Sequence, residues 1–245
     1  MGKRSKRYAA AAANIDPDRL YRPGEALGLV EDTVTVSFDP TVELAVRLGI
    51  DPRKADQQVR GAVGLPHGTG KSVRVAVVAD DPKAAEAQEA GADVVGADEV
   101  ISRIDADQLD FDAVIATPDQ MGRIGRYGKV LGPRGLMPNP KSGTVTNEVA
   151  EAVRAVKAGK VEFRTDRQGN VHSVLGKASF PVSALLENYE AVIEELRRLR
   201  PSAAKGRYLR SVHVTTSMGP SIPIDPNNAR DLTPPTPAGQ PAGLA

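Results

Sequence analysis

Apolar and polar positions in the middle of the chain alternate between strand-like and helix-like patterns. The run VRVAVV at 73–78 is rich in β-branched residues and predicts a buried strand, and the helix-forming stretch 83–90 comes directly after it. Short apolar segments at 93–95 and 113–116 are separated by an amphipathic stretch around 100–104. Strand, helix, strand, helix, strand in this order predicts a small parallel α/β sheet.

One more amphipathic helix closes this module. Thr146 or Asn147 is positioned to cap it, its valines fall on one face, and Gly159 stands where it would end. Because the residues after Gly159 have a different pattern, we expect the module to stop there.

The segments on either side of the module predict a second domain. Residues 160–166 alternate as a half-buried strand, and 171–175 return after a turn, which indicates a hairpin. Apolar residues between 185 and 199 have helical spacing, and 208–216 alternate again as a last strand. Before the module, 33–38 is predicted as a strand.

Residues 41–48 are predicted as a helix. The strands and helices before the module do not suffice to close a sheet on their own, and neither do those after it. We therefore predict one α+β domain built from residues 1–70 and 160–225, with a parallel α/β, Rossmann-like domain at 71–159 inserted into it. The tail 226–245 is rich in proline and poor in apolar residues, so we expect it to be disordered.

The amino-acid composition limits the classes of function that the protein can have. The 245 residues are 40% hydrophobic and 26% charged, as in an ordinary globular protein with a core. The absence of cysteine excludes disulfides, thiolate zinc sites and cysteine nucleophiles, and three scattered histidines leave little for a metal centre. No apolar run approaches the ~20 residues of a membrane span, and the alanine run near the start is too short for a signal peptide. We expect a cytoplasmic protein without cofactor or metal.

The net charge is only +1, but the charged residues are unevenly distributed along the chain. Residues 76–119 hold two Lys/Arg against twelve Asp/Glu, whereas 120–160 hold eight against two. A basic binding face is therefore compatible with the near-neutral total.

The glycine-rich stretch Gly64–Ser72 looks like a phosphate-binding loop but lacks its spacing. Five residues separate Gly64 from Gly70 where the motif needs four, and a predicted strand comes after Lys71 where the motif needs a helix. We interpret it as a connector between domains. A Gly-x-Ser-x-Gly nucleophile motif is also absent, so the sequence predicts no enzyme site.

A second glycine- and proline-rich stretch, Gly122–Gly143, contains five cations and no acid. Basic side chains on such a segment are suited to contact the phosphates of a nucleic acid. Alternatively, they are solvated and only balance the negative charge of the acidic half of the same module. Both interpretations stand at this point for Arg123, Arg126, Lys129, Arg134 and Lys141.

Four long segments taken together resemble one known family. They are 38–71, 128–146, 159–180 and Ser217–Pro220, with the sequences FDPTVELAVRLGIDPRKADQQVRGAVGLPHGTGK, GKVLGPRGLMPNPKSGTVT, GKVEFRTDRQGNVHSVLGKASF and SMGP. In this order they are similar to the bacterial large-subunit ribosomal protein L-one family, the proteins of the mobile stalk beside the tRNA exit site. The resemblance covers roughly residues 15–225.

The resemblance implies the two-domain fold and a function without chemistry. The chain would bind stalk ribosomal RNA, assist release of exit-site tRNA and, as in many bacteria, repress translation by binding the leader of its own messenger. The implied RNA-facing residues are Phe38, Thr41, Glu43, Lys177, Ser217, Met218 and Gly219. His172 and the five cations of 122–143 are candidate secondary contacts, and Gly68, Gly70 and Gly159 are the candidate hinge.

Two positions depart from the family pattern. The family usually has Thr where Ser217 stands and Gly where Ser221 stands. Serine keeps the hydroxyl but loses the methyl that restricts the rotamer, so the hydrogen bond is expected to survive with less rigidity. Two other function classes remain open from the residues alone: a nucleotide hydrolase using Lys71, and an adaptor that holds a protein through the acidic insert.

Overall fold

The computed structural model describes residues 5–233. Its α-helices are α1 Lys6–Ala12, α2 Pro23–Gly28, α3 Lys83–Glu89, α4 Ala97–Asp105, α5 Met121–Ile124, α6 Gly128–Leu131, α7 Val149–Lys157 and α8 Val182–Arg198. Its strands are β1 Thr41–Leu48, β2 Arg60–Gly64, β3 Val75–Val78, β4 Val94–Val95, β5 Ala113–Ala116, β6 Lys160–Arg164, β7 Asn170–Lys177, β8 Leu209–Thr216 and β9 Ser221–Ile224. Short 3-10 helices occupy Glu31–Thr33, Ala55–Gln57, Pro118–Gln120, Gly125–Tyr127 and Pro140–Ser142.

The chain divides into two compact units. Among the described residues, the first unit contains 5–59, 65–70 and 163–233, and the second contains 60–64 and 71–162. The mixed α/β fold class is confirmed in its coarse form, because a parallel three-stranded sheet and antiparallel strands are both present.

The first unit is built on a four-stranded antiparallel sheet in the order β7-β1-β8-β9. Helix α8 lies against β7 and α2, and it buries a continuous apolar face that includes Leu185, Tyr189, Val192 and Leu196. The spacing of these residues is the helical one recognised in the sequence, and the helix ends at Arg198, shortly before Pro201.

The predicted helix at 41–48 is wrong, because these residues form β1 at the centre of this sheet. Val42, Leu44, Val46 and Leu48 are buried, while the residues between them are exposed or half-buried. A period of two is the strand period, and pairing with strands on both sides overrides the helix propensity of leucine and glutamate. The predicted strand at 33–38 is also wrong, since its start lies in a 3-10 helix and the next strand along the chain is β1.

The second unit is a three-layer α/β arrangement. Its parallel sheet has the order β4-β3-β5, and successive residues of β3 point to opposite faces. Val75 and Val77 pack with α3 and α7, whereas Ala76 and Val78 pack with α4 and with Ile124 and Leu131. All four β3 residues are fully buried, which is why this strand is a continuous apolar run in the sequence.

The predicted hairpin at 160–175 is only partly present. Strand β6 pairs with β2 and β7 pairs with β1, so the two strands belong to different sheets. One isolated bridge, Thr165 to Val171, joins the segments. The predicted side-chain cap of α7 is wrong as well, because Glu148 occupies the cap position and the Thr146 hydroxyl accepts from the Glu148 N–H at 3.1 Å.

The connector Gly64–Ser72 has no phosphate-binding geometry. Gly68 and Gly70 adopt left-handed backbone angles, with φ of 65° and 70°, and the chain continues from Lys71 into β3 rather than into a helix. The chain therefore lacks the helix that comes directly after a phosphate-binding loop.

The tail differs from expectation where it is described. Within 226–233, Ala229 is only 3% exposed and Arg230 forms an ion pair with Glu194 at 2.9 Å, so these residues are packed rather than disordered. The rest of the predicted disordered tail, 234–245, lies outside the described residues. Across residues 5–233, no helix is long and apolar enough to cross a membrane, and no group of acids and histidines is placed to hold a metal.

Candidate nucleic-acid interface

The sheet of the first unit brings three polar side chains together at one end. In the antiparallel register Thr41 at the start of β1 lies opposite Lys177 at the end of β7. On the other side Val42 faces Thr216, the last residue of β8, so Ser217 lies beside Thr41. Residues separated by more than 130 positions in sequence therefore share one edge.

Hydrogen bonds hold these residues in fixed positions. The Ser217 N–H donates to the Thr41 carbonyl at 3.0 Å, and the Ser217 hydroxyl accepts from the Thr41 N–H at 3.3 Å. The Lys177 ammonium donates to the Thr41 hydroxyl at 3.2 Å and to the Asp39 carbonyl at 3.4 Å. No carboxylate within the described chain pairs with Lys177, so its charge is available to an anion.

The loop before β1 presents an aromatic ring to solvent. Phe38 is 55% exposed and is therefore not a core residue. Its neighbour Asp39 accepts from the Ser179 N–H at 3.1 Å and from the Ser179 hydroxyl at 2.7 Å. These bonds anchor the loop, so the exposed ring is carried on a fixed backbone.

The loop after β8 presents a second exposed apolar side chain. Met218 is 78% exposed and has a left-handed φ of 64°, a conformation that non-glycine residues adopt rarely. Gly219 is the next residue, and a β-carbon there would lie 2.1 Å from the Thr216 hydroxyl, which is itself buried. The tight turn thus projects the methionine outward. We call Phe38, Thr41, Glu43, Lys177, Ser217, Met218 and Gly219 together the sheet-end cluster.

Glu43 belongs to the open face of the same sheet. It is exposed and lies between Val174 of β7 and Thr215 of β8. One row further along, Ala45 separates His172 from His213. Burial lowers the pKa of His213, which keeps this imidazole neutral at physiological pH.

The basic segment Gly122–Gly143 of the second unit folds into short helical turns and its cations divide into two groups. Arg123 pairs with Asp98, whose hydrogen bond raises the pKa of the arginine, and Arg134 pairs with Asp107 at 3.0 Å. Arg126, Lys129 and Lys141 form no ion pair with any residue in the described part of the chain. Neutralisation by acids of the same module therefore explains the paired cations Arg123 and Arg134, but not the other three.

Sequence reasoning missed the residues that support the sheet-end cluster. Asp39 and Ser179 are both within segments quoted for the resemblance, but only the fold reveals that they bond to each other. Gly70 is a further support, because a β-carbon there would lie 2.8 Å from the Lys177 side chain. The sequence showed Gly70 as one glycine of a connector, but it did not show that this glycine lies against Lys177.

Comparison with known proteins agrees with the resemblance noted in the sequence. Residues 30–220 match the model of the ribosomal protein L1p/L10e family. The large ribosomal subunit protein uL1 of Thermobifida fusca is 61% identical over 229 residues, which cover 94% of this chain and 97% of that protein. The uL1 proteins of Frankia alni and Streptomyces coelicolor are each 59% identical, over 94% and 95% of this chain and 97% and 96% of their own lengths. The chain belongs to the ribosomal protein L1p/L10e family.

Proposed function

We propose that this protein is a constituent of the large ribosomal subunit that binds a folded segment of ribosomal RNA through the sheet-end cluster. The observation that carries the proposal is a hydrogen-bonded edge with a lysine that no carboxylate of residues 5–233 neutralises, flanked by two exposed apolar side chains. Its family consists of ribosomal proteins, so a cytoplasmic ribosomal role without catalysis is the function that family membership supports.

Each residue of the cluster has a contact that suits its chemistry. Phe38 can stack on an unpaired base or ribose, and Lys177 can pair with a phosphate. The hydroxyls of Thr41 and Ser217 offer hydrogen bonds to sugar oxygens, while Glu43 can accept from a 2′-hydroxyl or a base amino group. Gly219 lets the RNA backbone approach the turn closely. Recognition would rest on shape and sugar contacts more than on base sequence.

We further propose that the stalk role uses both units. The unpaired cations Arg126, Lys129 and Lys141 would contact exit-site tRNA and assist its release. Gly68 and Gly70 in the connector, with Gly159 at the end of α7 (φ 103°), would form the hinge that this movement needs. Binding of a leader in the protein's own messenger by the same sheet-end cluster would make it a translational repressor.

Met218→Asp tests the interface because it replaces an exposed apolar contact with a charge that phosphates repel. Affinity for the stalk segment of large-subunit RNA should fall about tenfold or more, equivalent to ~1.4 kcal/mol, with an unchanged melting temperature. The measurement is a binding titration against the stalk segment and a scrambled RNA of equal length.

Leu20→Asp is the matched control, because Leu20 is also an exposed apolar residue of the first unit, at 56% exposure. It should leave affinity unchanged. Equal affinity of native protein and Met218→Asp would remove this loop from the interface. Binding of native protein to stalk and scrambled RNA with equal affinity would overturn the proposed function.

A further inference from the structure

An arginine-lined cavity in the first unit has no role in the interface described above. It has a volume of about 370 Å³ and lies where the end of α8, the start of β8 and the segment 226–230 meet. Four arginines line it: Arg197, Arg200, Arg207 and Arg230. No aspartate or glutamate lines it, so the cavity concentrates positive charge in a protein whose net charge is only +1. We call it the arginine cavity.

Internal acids neutralise little of this charge. Arg230 pairs with Glu194 at 2.9 Å, but Arg197 and Arg207 have no carboxylate partner among residues 5–233. Arg200 donates to the carbonyls of Ala204 and Gly206, at 3.0 and 3.1 Å, so its guanidinium is held in place without losing its charge. Guanidinium groups bind phosphate oxygens through strong, often bidentate, charge-assisted hydrogen bonds.

A buried tyrosine forms part of the cavity wall. Tyr208 lines the cavity and is only 6% exposed, yet its hydroxyl has no hydrogen-bond partner in the described structure. Buried polar groups nearly always have a partner, whether protein, water or ligand. Burial raises the pKa of Tyr208 to about 12, so the cavity wall gains no negative charge from this group at neutral pH.

We propose that the arginine cavity binds a polyphosphate group. Three of the four arginines have no carboxylate partner in the described part of the chain, so they suit a group that concentrates several negative charges in one place. Each phosphate of an RNA backbone, by contrast, carries one charge and lies several ångströms from the next. A nucleoside triphosphate and the 5′-triphosphate end of an RNA both present this group. Either would be recognised through its phosphates, independently of the sheet-end cluster.

Calorimetric titration of the full chain with inorganic tripolyphosphate tests the proposal at about 0.15 M salt, where exposed charges are largely screened. We expect saturable binding with one site. The double variant Arg197→Gln/Arg207→Gln should lose about tenfold or more in affinity. Arg198→Gln is the matched control, because Arg198 is the next residue on α8 and pairs with Glu195 outside the cavity.

The same variants separate this proposal from the proposed function. Binding of stalk RNA should be unchanged in the double variant, with the melting temperature checked for folding. Titration with GTP and with an RNA carrying either a 5′-triphosphate or a 5′-hydroxyl identifies the source of the group. Equal binding of 5′-hydroxyl and 5′-triphosphate RNA would exclude an RNA end as that source. The proposal is overturned if native protein does not bind tripolyphosphate, or if Arg198→Gln loses as much affinity as the double variant.

Discussion

The turn after β8 depends on the absence of a single methyl group. A β-carbon at Gly219 would overlap the Thr216 hydroxyl at 2.1 Å and approach the Thr216 carbonyl at 3.3 Å. Thr216 is buried and cannot move aside freely. Gly219→Ala should therefore destabilise the protein by about 1–3 kcal/mol, measured by urea denaturation.

Gly64→Ala is the control for this substitution, because nothing lies within 4 Å of a β-carbon built at Gly64. It should leave the free energy of unfolding unchanged or raise it slightly, since alanine restricts the unfolded chain. Equal effects of the two substitutions would show that steric fit at Gly219 is not what holds the turn.

His213 makes the stability of the protein sensitive to mild acid. Burial lowers its pKa in the folded state below the ~6.5 of the unfolded chain, so the unfolded state binds the proton more tightly. The contribution of His213 to the free energy of unfolding should be greatest above pH ~6.5, the pKa of the unfolded chain. It should fall as the pH drops below that value and level out below the folded-state pKa. Urea denaturation at several values between about pH 7.5 and 5 measures the slope.

His213→Gln should flatten that slope, because glutamine does not titrate. Ser211→Ala, a change on the same strand that removes no titratable group, should keep the slope of the native protein. A native slope retained in His213→Gln would assign the acid sensitivity to another group.

At the scale of elements, one buried asparagine joins the connector to the core. Asn188 of α8 is fully buried, accepts from the His67 N–H at 3.0 Å, and donates to the carbonyls of Gly68 and Leu175 at 3.0 and 2.7 Å. Asn188→Ala would leave three buried backbone groups without these partners. We expect a loss of about 2–4 kcal/mol in the free energy of unfolding, measured by urea denaturation.

Glu187→Ala is the neighbouring control on the same helix. Glu187 is exposed and bonds to the His67 ring, at 2.7 Å, so its loss should cost less than about 1 kcal/mol. Comparable losses in the two variants would mean that the connector is not anchored through Asn188.

At the scale of the whole molecule, the small number of cations in the proposed interface predicts a shallow salt dependence of RNA binding. The sheet-end cluster contains one cation, Lys177, so we expect one or two released counterions. Raising salt from about 50 to 200 mM should weaken binding to the stalk RNA by roughly three- to tenfold, against the 10³ or more expected for six phosphate contacts. Titrations at several salt concentrations give the slope.

Lys177→Gln should reduce the slope of log affinity against log salt by about one. Thr165→Ala, in the same unit but away from the cluster, should leave it unchanged. A native slope as steep as about −5 would contradict the proposed contact set and indicate that the basic segment Gly122–Gly143 also binds this RNA.

The sequence alone determined those helices and strands whose apolar pattern is clear within a short stretch of the chain. Strand β3 and helices α7 and α8 lie where their apolar patterns placed them, because buried runs and helical stripes are readable from neighbouring residues. The long motifs 38–71 and 159–180 likewise identified the family before any contact was visible. The wrong spacing of Gly64–Ser72, together with the strand predicted after Lys71, argued against a phosphate-binding loop.

Only the tertiary structure decided the elements and contacts that depend on distant partners. Residues 41–48 become a strand because β7 and β8 pair with both of their edges, and no local pattern reveals those partners. The contacts of Thr41 with Lys177 and Ser217, and the shared cavity of Arg197 and Arg207, join residues that sheet register and packing bring together. Propensity acts over a few residues, whereas these sites are assembled by burial across the whole first unit.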